Sequence, residues 1–126
     1  MPDPTVLIVD DEIDLVESYA AYFARRGFSV NTANSGNQAI EIVRQKAPQI
    51  ILSDLNMCNG SGLHLLRVLK AENIRPPLFV ILTGDDSPLL IELNELKPDM
   101  VLTKPLPPSG ILKAIKERWE SIASSS

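Results

Sequence analysis

At 126 residues, with 44% hydrophobic and 22% charged side chains, the chain has the size and composition of one compact domain, without the polar bias of a disordered segment. Its strongest apolar stretches, such as Thr5 to Val9 and Leu78 to Leu82, fall far short of the roughly 20 residues that a membrane span needs. A net charge of −4 with dispersed Lys and Arg argues against direct nucleic-acid binding, which rests on clustered cations.

Met1-Pro2-Asp3-Pro4 lacks the basic start and apolar centre of a secretory signal, and the single cysteine, Cys58, admits no internal disulfide. A cytoplasmic compartment is therefore the expectation. Thr5 to Asp10 is a continuous β-branched and apolar run, the pattern of a strand buried on both faces of a parallel sheet. A helix is predicted over about Ile13 to Arg26, with Val16, Ala20, Phe23 and Ala24 at helical spacing, two arginines at its end and Gly27 behind them. Ser29 to Ala33 reads as the second strand. The second helix opens on Ser35-Gly36-Asn37-Gln38, a capping box, and runs to about Lys46 before Pro48 stops it.

Gln49 to Ser53 is the third strand, and a helix over about Gly62 to Glu72 turns Leu65, Leu66 and Leu69 toward the sheet. Pro76-Pro77 then holds the chain extended into a fourth strand, Leu78 to Thr83. A short fourth helix begins at Ser87-Pro88 and ends near Leu96, and Met100 to Thr103 is the fifth strand. The last helix starts at Pro108 and repeats Ile111, Leu112, Ile115 and Trp119; the core is expected over about 5–121, with a serine-rich tail, 122–126, that frays. Five consecutive βα units imply an α/β fold of one domain over 1–126, doubly wound, with helices on both faces of a parallel sheet.

In such sheets ligands bind beyond the carboxyl ends of the strands. There the first strand ends in Asp10-Asp11-Glu12, the third in Asp54, the fourth in Thr83-Gly84 and the fifth in Lys104-Pro105. Converging aspartates repel one another unless a cation or a proton compensates them, and Mg²⁺, a hard oxygen-seeking ion, suits so sparse an acidic set. The carboxylate of Asp54 could then attack phosphorus to give an acyl phosphate, with Lys104, the Thr83 hydroxyl and the Gly84 amide stabilising the spread charge. Taken singly, Asp10-Asp11 is equally well a helix cap, Lys104 a surface lysine, and His64 a packed or exposed side chain with no ligand partners. Their joint placement at successive strand ends favours a site.

From Val6 to Trp119 the chain resembles the receiver domain of bacterial two-component response regulators. Val9-Asp10-Asp11-Glu12 is similar to that family's acidic start, Asp54-Leu55-Asn56-Met57 with Gly60 and Gly62 to its phosphoacceptor loop, Leu82-Thr83-Gly84 to its switch-threonine segment and Thr103-Lys104-Pro105 to its lysine segment. The resemblance implies a flavodoxin-like (βα)5 sheet of order 2-1-3-4-5 with a cis Lys104-Pro105 peptide. It also implies phosphorylation of Asp54 by a histidine kinase or histidine phosphotransfer protein. Asp11, Asp54 and the backbone carbonyl of Asn56 would bind Mg²⁺ directly, and Asp10 through water. Such a domain is not an enzyme toward external substrates; it catalyses only its own phosphorylation and dephosphorylation.

Several positions depart from the family pattern. Val101 stands where Tyr or Phe is usual, which bears on coupling from the site to the face formed by the fourth helix, fifth strand and fifth helix, where an output domain, a target protein or a second copy would dock. Lys97-Pro98 replaces a common Gly-Ala, Cys58 a proline, and Pro107 a capping Ser or Thr, while Asn56 and Asp85 occupy positions that tune the lifetime of the phosphoryl group. Two alternatives stay open: a non-switching interaction module or phosphate sink of the same fold, and an aspartate-nucleophile phosphatase. The phosphatase fits poorly, since Asn56 stands where a second acid is wanted.

Overall fold

The computed structural model describes residues 4–55, 62–84 and 90–124. Strands β1 (Thr5–Val9), β2 (Ser29–Ala33), β3 (Ile50–Asp54), β4 (Leu78–Thr83) and β5 (Met100–Thr103) alternate with helices α1 (Ile13–Arg25), α2 (Gly36–Lys46), α3 (Gly62–Ala71), α4 (Leu90–Leu96) and α5 (Pro108–Ser124). The strands form one parallel sheet of order β2-β1-β3-β4-β5, as the resemblance implies. Strand order reverses between β1 and β3, so the crevice of this sheet opens beyond Val9 and Asp54.

Alternation along the strands feeds two cores. Val6, Ile8, Ile50, Leu52, Leu78, Val80 and Leu82 face α1 and α5, where Phe23, Ile111 and Ile115 cover them. Leu7, Val9, Ile51, Phe79 and Ile81 face the other way, onto Ile40 and Val43 of α2, Leu65, Leu66 and Leu69 of α3 and Leu93 of α4. Burial on both faces is why the strands read as unbroken apolar runs rather than as alternating ones. The two edge strands are the exceptions: β2 fully buries only Ala33, and in β5 Met100 and Leu102 turn inward while Val101 stays 43% exposed.

Helix ends follow their local chemistry. The Ser35 hydroxyl accepts the Gln38 N–H at 3.1 Å, and the Gln38 side chain accepts the Asn34 N–H at 2.7 Å, closing the cap one residue earlier than a standard capping box. Gly27, at φ 95°, carries the chain out of α1.

Four expectations differ, the first being that β1 ends at Val9, one residue short of Asp10. The buried stripe of α1 is Val16, Tyr19 and Phe23, whereas Ala24 is exposed, because an interval of three followed by four tracks the contact face more closely than the alanine pair. Helix α5 continues through Ile122 to Ser124 instead of fraying from residue 122, since Ile122 packs against the α1/α5 core. Strand β3 is shifted by one residue, to Ile50–Asp54, so that Asp54 itself closes the ladder. The predicted start of the fourth helix at Ser87-Pro88 lies outside the described residues, and α4 is helical from Leu90.

No helix among the described residues is long and apolar enough to cross a membrane.

Candidate functional site

Sheet register brings the polar strand ends to one level. Val9 pairs with Ser53, Asp54 with Leu82, and Thr83 with Thr103, so Asp10, Asp54 and Lys104 lie within a residue of a common row. All three continue the alternation that places Ile8, Leu52 and Leu102 on the α1/α5 side. Main-chain bonds extend past the strands: Asp10 N–H donates to the Ala33 carbonyl at 3.1 Å, Leu55 N–H to Leu82 at 3.0 Å and Lys104 N–H to Thr83 at 2.7 Å. The peptide between Lys104 and Pro105 is cis.

Asp10, Asp54 and Thr83 are buried, at 2%, 7% and 2% exposure, while Asp11 is half-buried. Carboxylate oxygens of Asp10, Asp11 and Asp54 lie within 4.8 Å of one another. The Lys104 Nζ stands 3.0 Å from Asp54 Oδ1. Asp10 is held in turn by the Glu12 N–H, which donates to its Oδ1 at 3.0 Å. Thus Asp10 braces the turn that leads into α1, whose N-cap, Glu12, has no side-chain cap bond, and is also a member of the acidic group. Thr83 turns its hydroxyl onto the Gly84 carbonyl, at 3.1 Å, rather than onto Asp54 or Lys104.

Burial pushes the Asp10 carboxyl up to about 6, opposed by the Glu12 N–H and reinforced by the Asp54 charge. Asp54 is also raised, first by burial; the hydrogen bond and charge of Lys104 oppose that rise, and Asp11 adds to it. A salt bridge alone would lower Asp54, so here desolvation outweighs pairing. For Lys104 burial acts downward, but the hydrogen bond and charge of Asp54, with Asp10 and Tyr19 behind them, raise it overall. Lys104 therefore stays cationic.

Three carboxylates against one ammonium leave a surplus negative charge of two when all are ionised, the charge of one divalent cation. An octahedral Mg²⁺ with bonds of about 2.1 Å bridges oxygens up to about 4.2 Å apart. Adjacent ligands of such an ion stand about 3 Å apart, so the three oxygens, spread within 4.8 Å, would draw together or engage through water to share it. Donor chemistry fits a hard cation. The Asn56 carbonyl, expected as a further ligand, lies outside the described residues, as do Cys58 and Asp85; His64 is exposed on α3.

Two supporting residues were not legible as such. Gly62 begins α3 so close to β3 that an added Cβ would meet the Asp54 carbonyl oxygen at 2.5 Å and the Ser53 Oγ at 3.0 Å. Its place in the loop motif was visible, but not this reason for it. Tyr19, 6% exposed, packs beneath the site from α1 and feels the charges of Lys104, Asp10 and Asp54. Its spacing of three from Val16 was the available signal.

The family model described as "Response regulator receiver domain" matches residues 6–116. The chain is 26% identical to the DNA-binding response regulator MtrA of Mycobacterium tuberculosis over 113 residues, which is 90% of this chain and 49% of that protein. It is 28% identical to the alkaline phosphatase synthesis transcriptional regulatory protein PhoP of Bacillus subtilis over 124 residues, 96% of this chain and 52% of that protein. It thus spans about half the length of these curated relatives. Among solved structures, the receiver domain of the Francisella response regulator 1452 superposes with a TM-score of 0.84 at 25% identity, covering 94% of this chain and 98% of that one.

Proposed function

The chain belongs to the response regulator receiver domain family, and from that we propose that it is the phosphoacceptor of a two-component system, with Asp54 as the residue that takes the phosphoryl group. The observation that carries the assignment of Asp54 is its contact with Lys104 at 3.0 Å inside a group of three carboxylates. A phosphohistidine of a sensor kinase or phosphotransfer protein is the donor. A carboxylate oxygen of Asp54 attacks phosphorus, the P–N bond breaks with its electron pair returning to the imidazole, and an acyl phosphate remains.

Asp11 and Asp54, with the Asn56 carbonyl and with Asp10 through water, would hold Mg²⁺, which supplies charge neutralisation for the transferred group. Lys104, already paired to Asp54, keeps an ammonium against the phosphoryl oxygens. The Thr83 hydroxyl and the Gly84 amide are the remaining donors; Thr83 must give up its bond to the Gly84 carbonyl to reach a phosphoryl oxygen. No external substrate is turned over. Dephosphorylation at Asp54 closes the cycle.

Downstream contact is assigned to the face of α4, β5 and α5, where Ile91 is 75% and Val101 43% exposed. An output domain, a target protein or a second copy of the chain would dock there. A second reading rests on Val101 itself: lacking an aromatic ring to rotate as Thr83 moves, the domain would act as a phosphate sink or constitutive module. Beryllium fluoride, a phosphoryl mimic, separates the two. The switching reading predicts amide shifts at α4 and β5 in an NMR spectrum, and shifts confined to the site would favour the sink.

The assignment itself is tested with phosphoramidate as a P–N donor. Phosphoryl incorporation is expected with Mg²⁺ and not with a chelator, and equal incorporation in both would contradict it.

A further inference from the structure

At the opposite end of the sheet from Asp54, α3, the start of β4 and the α4–β5 connection enclose an open cleft of about 270 Å³. Buried Leu69 and Phe79 underlie it, half-buried Ile74, Pro76 and Pro98 give it accessible apolar surface, and its rim carries Lys70, Arg75 and Lys97. Among the described residues none of these cations pairs with a carboxylate. One acid, Asp99, shares the cleft with the three cations, which outnumber it; its Oδ2 accepts the N–H of Phe79, within the same cleft, at 2.7 Å.

Cations at this end of a parallel sheet often only complement exposed carbonyls at helix C-termini. Here backbone donors already meet several of those carbonyls. Asn73 N–H donates to Lys70 at 3.2 Å, Ile74 N–H to Leu69 at 2.8 Å and Lys97 N–H to Leu93 at 3.1 Å. Lys97 also sits at φ 53°, in the left-handed region where glycine is favoured.

We propose that this cleft binds a small organic anion, a carboxylate carried on a ring or a short acyl body. The ring covers Ile74, Pro76 and Pro98, and the carboxylate meets Lys70, Arg75 and Lys97 at the rim. At about 270 Å³ the cleft has room for a single ring with its acidic group.

The test uses the full chain, amide-resolved NMR and benzoate as the probe, with benzyl alcohol as its neutral counterpart. Benzoate is expected to shift the Phe79, Lys97 and Asp99 amides and to saturate at around 1 mM, while benzyl alcohol leaves them in place. Lys97→Gly suits the left-handed backbone, so its fold is retained; combined with Arg75→Gln it weakens benzoate at least about fivefold. Absence of saturating shifts at these amides, equal shifts with benzyl alcohol, or undiminished binding in the double variant would each overturn the proposal. So would shifts confined to Asp10, Asp54 and Lys104.

Discussion

Asp10 makes the electrostatics of the site measurable. Its carboxyl is raised to about 6 from 3.8, chiefly by burial. Across that window the folded protein holds a proton that the unfolded chain releases, so unfolding free energy falls as pH rises, and the loss is complete above about 6. A rise of that size bounds the effect at about 3 kcal/mol. Mg²⁺ held there as proposed would offset it, because the ion favours the ionised carboxylate. Added Mg²⁺ should therefore raise Tm more at about pH 7 than at about pH 5, and equal increments would contradict this electrostatic picture. Asp10→Asn keeps an oxygen for the Glu12 N–H but removes a crowded charge. In urea titrations with a chelator present, this variant should be more stable than the parent by about 1–2 kcal/mol, and its response to Mg²⁺ should be blunted.

Two helix termini carry predictions of their own. Helix α3 starts against β3, where an added Cβ on Gly62 would stand 2.5 Å from the Asp54 carbonyl oxygen. Backbone cannot yield there as a flexible side chain could, so Gly62→Ala should destabilise by about 1–3 kcal/mol in urea unfolding and should also displace Asp54. The C-cap of α2 gives the opposite sign. Ala47 lies at φ 45°, exposed, with its N–H bonded to the Val43 carbonyl, so Ala47→Gly relieves a left-handed alanine without removing a buried contact. A gain of up to about 1 kcal/mol is expected, against the greater freedom of glycine in the unfolded chain. Element positions themselves were largely readable from the sequence: β2, β4 and β5 fall on the predicted residues, because Pro, Gly and charged turns bracket each apolar run. What could not be read is how α1 rolls on the sheet, which decides between Tyr19 and Ala24, and that the end of α5 still finds a core contact at Ile122.

For the whole molecule, strand order was legible only through the likeness of four short motifs, since apolar patterning says which segments are buried and not which strands adjoin. The acidic group was legible from residue types at successive strand ends; its 4.8 Å spread and the burial that raises Asp10 and Asp54 depend on the register of β1, β3 and β4. The basic cleft at the far end of the sheet had no sequence signal, because Lys70, Arg75 and Lys97 meet there only after α3 and α4 are docked. The central claim, that the fold concentrates these charges to phosphorylate Asp54, is open to one direct measurement. Intact mass is recorded after incubation with Mg²⁺ and a small-molecule phosphodonor, for the parent and for Asp54→Ala. A single phosphoryl adduct on the parent that is absent from the variant is the predicted result; an unmodified parent, or an adduct that persists in Asp54→Ala, would contradict it.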